Sequence, residues 1–211
     1  MRNILRCLLI CLVSLNATAQ TKKLSKKTIL KDGTVLKYVI GKTYKIKGSF
    51  GTKKYSDDGD ILDTLTIKIK TIDNKLKIIL NNDTTKAFEL SKDQTPDYFF
   101  FQAYEKVNYF DLLLSEDMIS KSTITTYNNE TEKPIKSNYY NHQTISIIYN
   151  GKKQSISTKL FKSEKVNEYN MYFVYSFNND NQFPLLTKEY FILDKDTYEG
   201  LYCKLISIET K

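Results

Sequence analysis

The reactive inventory of this 211-residue chain is short. It holds one histidine, His142, so no Ser/His/Asp relay can be assembled around a choice of bases. Cysteine–histidine catalysis would require Cys203 to meet His142, and neither residue has neighbours that would activate a thiol. Zinc sites built from several His or Cys ligands are excluded by the same count. His142 is therefore expected as a surface or strand-edge residue.

The densest acidic cluster is Ser56-Asp57-Asp58-Gly59-Asp60, followed by Asp63. Hard oxygen ligands around a glycine turn suit calcium, but this spacing lacks the alternation of an EF-hand loop, so a solvated hairpin tip is expected. Paired carboxylates for sugar hydrolysis depend on spatial separation, which no spacing supplies. Trp is absent, so any sugar platform would be built from Tyr. The seven glycines form neither a dinucleotide nor a phosphate-binding loop. No cofactor and no metal is expected.

These residues sit on a chain whose first nineteen residues have the form of a secretory signal. Arg2 and Arg6 precede the apolar run Cys7 to Leu15, and Ala17-Thr18-Ala19 supplies the small-x-small cleavage site, with Gln20 the first mature residue. Nine apolar residues are too few to span a bilayer, which takes about 20 in a helix. Subtracting nineteen from 211 leaves 192, read as a single β-rich domain over 20–211. Only Cys203 then remains, alternating with Leu201 and Leu205 on the inner side of a strand, so packing rather than a disulfide must stabilise the fold.

The mature chain keeps 30 lysines, 24 acids and no arginine, a net charge of +6. Lysines spread among acidic and polar residues describe a solvated face, and the bidentate guanidinium fork is missing, so nucleic acid is not expected as a partner. Lys22 to Lys27, the nearest thing to a basic block, reads as an N-terminal tail.

Period-two alternation dominates the elements that must position all this. Leu65, Ile67 and Ile69 alternate with Thr and Lys, as do Ile46 and Ile145-Ile147 with their neighbours, while Met171 to Phe177 is apolar or aromatic on both faces and reads as a central strand. Asp32-Gly33, Asn74-Lys75 and Asn150-Gly151 read as two-residue hairpin loops. The fold class is mainly β: a curved antiparallel sheet or partly closed barrel of about ten strands. One helix is expected at about 96–107, opened by Thr95-Pro96-Asp97, with an extension towards Leu114. The polar stretch 127–137 is the candidate long loop or subdomain boundary.

Sixteen Tyr and eleven Phe are a heavy aromatic load. They serve either as core or as the wall of an apolar cavity, lidded by the helix through Phe99, Phe100, Ala103, Tyr104 and Val107.

Phe183 to Glu189, a turn, and Leu201 to Ile208 resemble the closing hairpin of exported proteins of Bacteroidetes-type bacteria, whose fold is similar to the periplasmic lipoprotein-carrier half-barrel. Asp63-Thr64-Leu65 and Asp83-Thr84-Thr85 resemble the O-glycosylation acceptors of such organisms. The resemblance implies a curved sheet cupping helices around an acyl-binding cavity. Those carriers switch through a buried arginine, and the mature chain has none, so that mechanism does not carry over.

The leading expectation is a non-enzymatic exported protein, periplasmic or associated with the outer membrane or secreted, that holds a lipid or other apolar small molecule. The alternative is a structural or protein-interaction module of the envelope with an envelope protein as partner. An envelope hydrolase using Asp and Tyr ranks third. No transmembrane segment is expected in the mature chain.

Overall fold

A computed structural model describes Leu24 and residues 29–47, 53–56, 61–81, 83, 87–90, 109–110, 120–128, 133–165, 171–180, 185–193 and 200–211. These residues form twelve strands: β1 Val35–Lys47, β2 Lys53–Ser56, β3 Ile61–Ile72, β4 Lys75–Leu80, β5 Ala87–Leu90, β6 Tyr109–Phe110, β7 Thr123–Asn128, β8 Lys133–Tyr149, β9 Lys152–Ser163, β10 Met171–Asn178, β11 Leu186–Leu193 and β12 Gly200–Glu209. The chain is mainly β, as its alternation requires.

One sheet runs in the order β6-β5-β4-β3-β1-β12-β11-β10-β9-β8-β7, with β2 paired to the far end of β1. Nearly every pairing is antiparallel. The exceptions are short parallel contacts, β5 with β6 and β12 with β8. The second of these joins Ser207 and Ile208 to Ile148 and Tyr149, so the path from β8 through β12 bends back on itself and the sheet is partly ringed. Register shifts between Lys37 and Tyr38 and between Ile40 and Gly41 on β1, and between Ser176 and Phe177 on β10, supply curvature, because each extra residue sharpens the local bend and twist.

Burial follows from this order. On β3, Leu65, Ile67 and Ile69 are buried and the intervening Thr66, Lys68 and Lys70 are half-exposed. On β10 the six residues from Phe173 to Asn178 are all buried, because the strand lies between β9 and β11 and has protein on both faces. Phe173, Tyr175 and Phe177 stack along one face, with ring centroids 6.1 and 6.4 Å apart. Phe161 meets Phe177 edge-on at 6.2 Å. With Tyr38 these are the largest fully buried side chains, so packed rings fill the interior at this point. Leu24 and Ile29 also pack into the core.

The turns follow sequence chemistry with two differences. Asn150-Gly151 closes the β8–β9 hairpin with φ of 47° and 77°. The loop expected at Asn74-Lys75 is Asp73-Asn74, with φ of 52° and 60°; Lys75 instead pairs with Ile72. The tolerance of Asp and Asn for the left-handed region explains that shift. Asp32-Gly33 does not close a hairpin. It leads into β1 and is tied to β3, where the Gly33 N–H donates to the Ile69 carbonyl and the Asp32 carboxylate accepts from the Thr71 N–H.

The helix expected at 96–107 lies outside the described residues. Its extension towards Leu114 is corrected, because Tyr109–Phe110 pair with Glu89–Leu90 as β6. The edge of β5 offers backbone partners there, and tertiary pairing overrides a local helical period. Residues 127–128 and 133–137, expected as a loop, belong to the β7–β8 hairpin, with Tyr127 opposite Pro134 and Ile124 opposite Ser137.

Gly41 pairs directly with Tyr202 across β1 and β12. A Cβ at Gly41 would lie 2.7 Å from the tyrosine ring, so the missing side chain is what lets the ring lie over the strand. Gly41→Ala is expected to lower stability by about 1–3 kcal/mol, the usual range for overpacking, in urea denaturation. Adding Tyr202→Ala should cost less than the sum of the two single changes; strict additivity would refute the contact.

Candidate functional site

The hairpin loop at Asn150-Gly151 sets which way every backbone group of β8 points. A two-residue loop makes its flanking residues, Tyr149 and Lys152, a hydrogen-bonded pair. Counting back by two, Ile147, Ile145 and Gln143 also bond to β9, opposite Gln154, Ile156 and Thr158. The N–H and C=O groups of Ile148, Ser146, Thr144 and His142 then point to the other side.

At Ile148 that side meets β12, and the Asn150 N–H donates to the Ile208 carbonyl. At the opposite end β7 occupies it as far as Asn138, and the Tyr139 N–H donates to the Ser122 carbonyl. Between these two ends no strand pairs with this side of β8 among the described residues. The His142 N–H is capped locally by the Asn141 side-chain oxygen at 2.8 Å. The result is a slot in the sheet, roughly 30 Å from Tyr139 to Ile148 at about 3.4 Å per residue, bounded by a strand end on either side.

Side chains divide across the slot. Ile145, Ile147 and Tyr149 are buried in the core, whereas His142, Thr144, Ser146 and Ile148 face outward and are exposed. Tyr140 is the extra residue of a β-bulge, since the register passes from Tyr139 opposite Phe161 to Asn141 opposite Leu160. The bulge aims Tyr140 outward, 62% exposed, with the Lys162 ammonium 5.8 Å from its ring centroid. Tyr139, 42% exposed, meets Phe161 edge-on at 6.3 Å on one side and His142 at 5.4 Å on the other. Of the five exposed large apolar or aromatic side chains described, Tyr139, Tyr140 and Ile148 lie on this strand, and Ile61 and Leu62 begin β3.

Titratable groups gather elsewhere, inside the sheet. Glu189 on β11 lies opposite Tyr175 and Cys203, and Cys203 lies opposite Ile40 on β1. Tyr38, two residues from Ile40, donates its hydroxyl to the Leu186 carbonyl at 2.8 Å. Burial pushes the Cys203 thiol well up, the Glu189 charge adds to this, and the Lys204 backbone N–H opposes both. Burial also pushes the Tyr38 phenol well up, with Cys203 adding to the shift. A fully buried, protonated thiol is a poor nucleophile, so this cluster is a packed polar patch of the core. On the other face of β11, Lys188 is 1% exposed and its ammonium lies 4.3 Å from the Tyr190 ring centroid.

Cys203 is thus on the inner face where its alternation placed it, and His142 is on the exposed face of β8. Asp63 is exposed, its carboxylate accepting from the Thr64 N–H, while residues 57–60 lie outside the described residues. Phe99, Phe100, Ala103, Tyr104 and Val107 also lie outside them. Among the described residues no three His, Cys, Asp or Glu side chains converge as a metal site, and no helix is long and apolar enough to cross a membrane.

Sequence reasoning missed Tyr38, Lys188 and Glu189, although two adjacent charges between Leu185-Leu186 and Phe191-Ile192 were a legible warning of buried charge. It also missed the slot, whose local signal is fifteen residues, Ser137 to Gly151, without a charged side chain. Comparison with family models, with curated proteins and with solved structures found no match.

The buried thiol and phenol give a pH prediction. Their folded pKa values lie above the unfolded ones, so their contribution to stability is fully present below about pH 8.5 and is lost as pH rises and the unfolded thiol, then phenol, ionise. Urea midpoints are expected to fall between pH 8 and 10, and Cys203→Ala should flatten that fall. An unchanged slope in Cys203→Ala would remove the thiol from the account.

Proposed function

We propose that this chain is a protein-interaction module of the cell envelope, and that the slot in β8 is its contact surface. The observation that carries the reading is a strand edge that no described strand pairs with, along residues with no charge. Soluble sheets ordinarily blunt an exposed edge with lysine, proline or a covering segment, because a row of outward N–H and C=O groups templates pairing with another chain. Lysines do mark the β1–β2 arm, at Lys45, Lys47, Lys53 and Lys54. From Tyr140 to Ile148 there is neither lysine nor proline, and the bulge at the start of the run turns a tyrosine outward.

Tyrosine is the side chain that contact surfaces favour, since it contributes a large rigid area with few rotamers to freeze. A strand-binding slot between β7 and β12 fits β-augmentation, in which main-chain bonds supply affinity and alternating pockets supply choice. The N-terminal segment, with its apolar run and small-x-small site, supports export as the route to the envelope.

Carriage of a lipid or other apolar molecule ranks second. It needs open space, and the stacked Phe173, Tyr175 and Phe177 occupy the described interior along β10. Delipidated protein is accordingly expected to take up no fluorescent fatty acid, and saturable uptake would move carriage to first place.

Thr144→Pro provides the direct test. Its N–H belongs to the slot side rather than to the β9 ladder, so proline there removes an edge donor without breaking the hairpin. A photo-reactive residue at Ser146 in intact cells should yield one discrete cross-linked envelope protein, reduced at least tenfold by Thr144→Pro while the thermal midpoint changes little. Cross-linking that is absent, or indifferent to Thr144→Pro, would overturn the reading.

A further inference from the structure

The tip of the β8–β9 hairpin carries a chemistry of its own, independent of what the slot binds. Asn150-Gly151 is the one Asn-Gly pair in the sequence. In such a pair the glycine backbone nitrogen can attack the asparagine side-chain carbonyl, because the second residue has no side chain to obstruct it. Both residues are exposed, and a Cβ added to Gly151 would meet nothing within 4 Å. Among the described residues the Gly151 N–H makes no hydrogen bond. The nucleophile is open.

The electrophile is held. Asn150 Oδ1 accepts from the Thr210 N–H at 2.7 Å, and Asn150 Nδ2 donates to Thr210 Oγ1 at 3.0 Å. A backbone N–H can only donate, so Thr210 fixes which end of the amide is oxygen. The Asn150 N–H also donates to the Ile208 carbonyl at 2.9 Å. Three bonds therefore tie one loop residue to the end of β12, beside a β8–β12 pairing of only two residues.

We infer that Asn150 is a self-modification site, and that its clasp on Thr210 holds the reaction back. When the clasp opens, the Gly151 nitrogen loses its proton to hydroxide and bonds to Asn150 Cγ. The Cγ–Nδ2 bond breaks, Nδ2 takes a proton from water and leaves as ammonia, and a five-membered succinimide remains. Water then opens the ring at either carbonyl, giving aspartate or isoaspartate. One water is consumed and one ammonia released, with no change of oxidation state.

The two products act differently on the fold. Aspartate keeps the main chain, and its carboxylate accepts from the Thr210 N–H and from the Thr210 hydroxyl, which donates as readily as it accepts. Isoaspartate routes the main chain through Cβ and Cγ. This adds an atom to a two-residue loop whose φ angles of 47° and 77° match the strand twist. Its carboxylate is left on Cα, one carbon shorter in its reach towards Thr210. Isoaspartate therefore unfastens β8 from β12, and aspartate does not.

The test ages the purified protein at mildly alkaline pH and follows position 150 by peptide mass mapping, with methyl labelling specific for isoaspartate. A synthetic peptide of residues 146–155 is the unclasped reference, and the folded protein should convert at least tenfold more slowly. Thr210→Ala removes the acceptor for Nδ2 and should convert about fivefold faster than the parent, the population change that losing one neutral hydrogen bond produces. Thr210→Ser should match the parent, and in urea all three should convert alike. Asn150→Asp should keep the parent's thermal midpoint, whereas the isolated isoaspartate form should melt earlier and exchange its residue 150 amide faster.

A folded protein that converts as fast as the peptide, or Thr210→Ala that converts no faster than the parent, would overturn the clasp. A peptide that does not convert would overturn the site itself. An isoaspartate form as stable as Asn150→Asp would overturn the unfastening.

Discussion

Everything in this fold is held in register by one strand with three neighbours. β12 pairs with β1 along Leu201 to Glu209, with β11 through Leu201 to Lys204, and with β8 at Ser207 and Ile208. On the side away from β1 it therefore exchanges one neighbour for another part-way along its length. A strand can do this only if the two neighbours diverge, and the bulges in β1 and β10 bend the sheet enough to allow it. The partial ring, the doubly buried β10 and the gap beside β8 all follow from that exchange. β8 reaches β12 only at its last two residues, and on the side away from β9 no described strand pairs with it between Asn138 and Ile148.

Parts of this architecture were legible because they are local. The period of two in Leu65, Ile67 and Ile69 describes a strand with one wet face wherever it lies in the sheet. The run from Met171 to Phe177, apolar or aromatic on both faces, describes a strand covered on both sides. Asn150-Gly151 carries its own geometry, since both residues accept a positive φ. Other parts depend on partners distant in sequence. Thr187-Lys188-Glu189-Tyr190 alternates as a surface strand would, yet β11 lies between β10 and β12, and Lys188 and Glu189 are both buried. Asp32-Gly33 has the composition of a hairpin loop, but among the described residues no strand precedes it and the turn serves as a latch onto β3.

The slot falls in this second class. Its uncharged composition is visible in the chain, but uncharged residues also describe a central strand. Only the strand order separates the two, because it stops β7 at Asn138 and starts β12 at Ile148. The reactive inventory had the opposite character: a single histidine and a single cysteine beyond the first nineteen residues could be counted without any fold, and the structure then separated them, His142 on an exposed edge and Cys203 in the buried interior.

The pairing of β1 with β12 also constrains when the molecule can exist. Val35 and Glu209 are neighbours in space though far apart in the chain, so the seam between them closes a loop of most of the sequence. A polypeptide emerging from its N-terminus presents β1 long before Gly200–Glu209 is available to cover its second edge. Any nascent form still short of β12 therefore lacks the central seam, and the core cannot close until the last strand has been made.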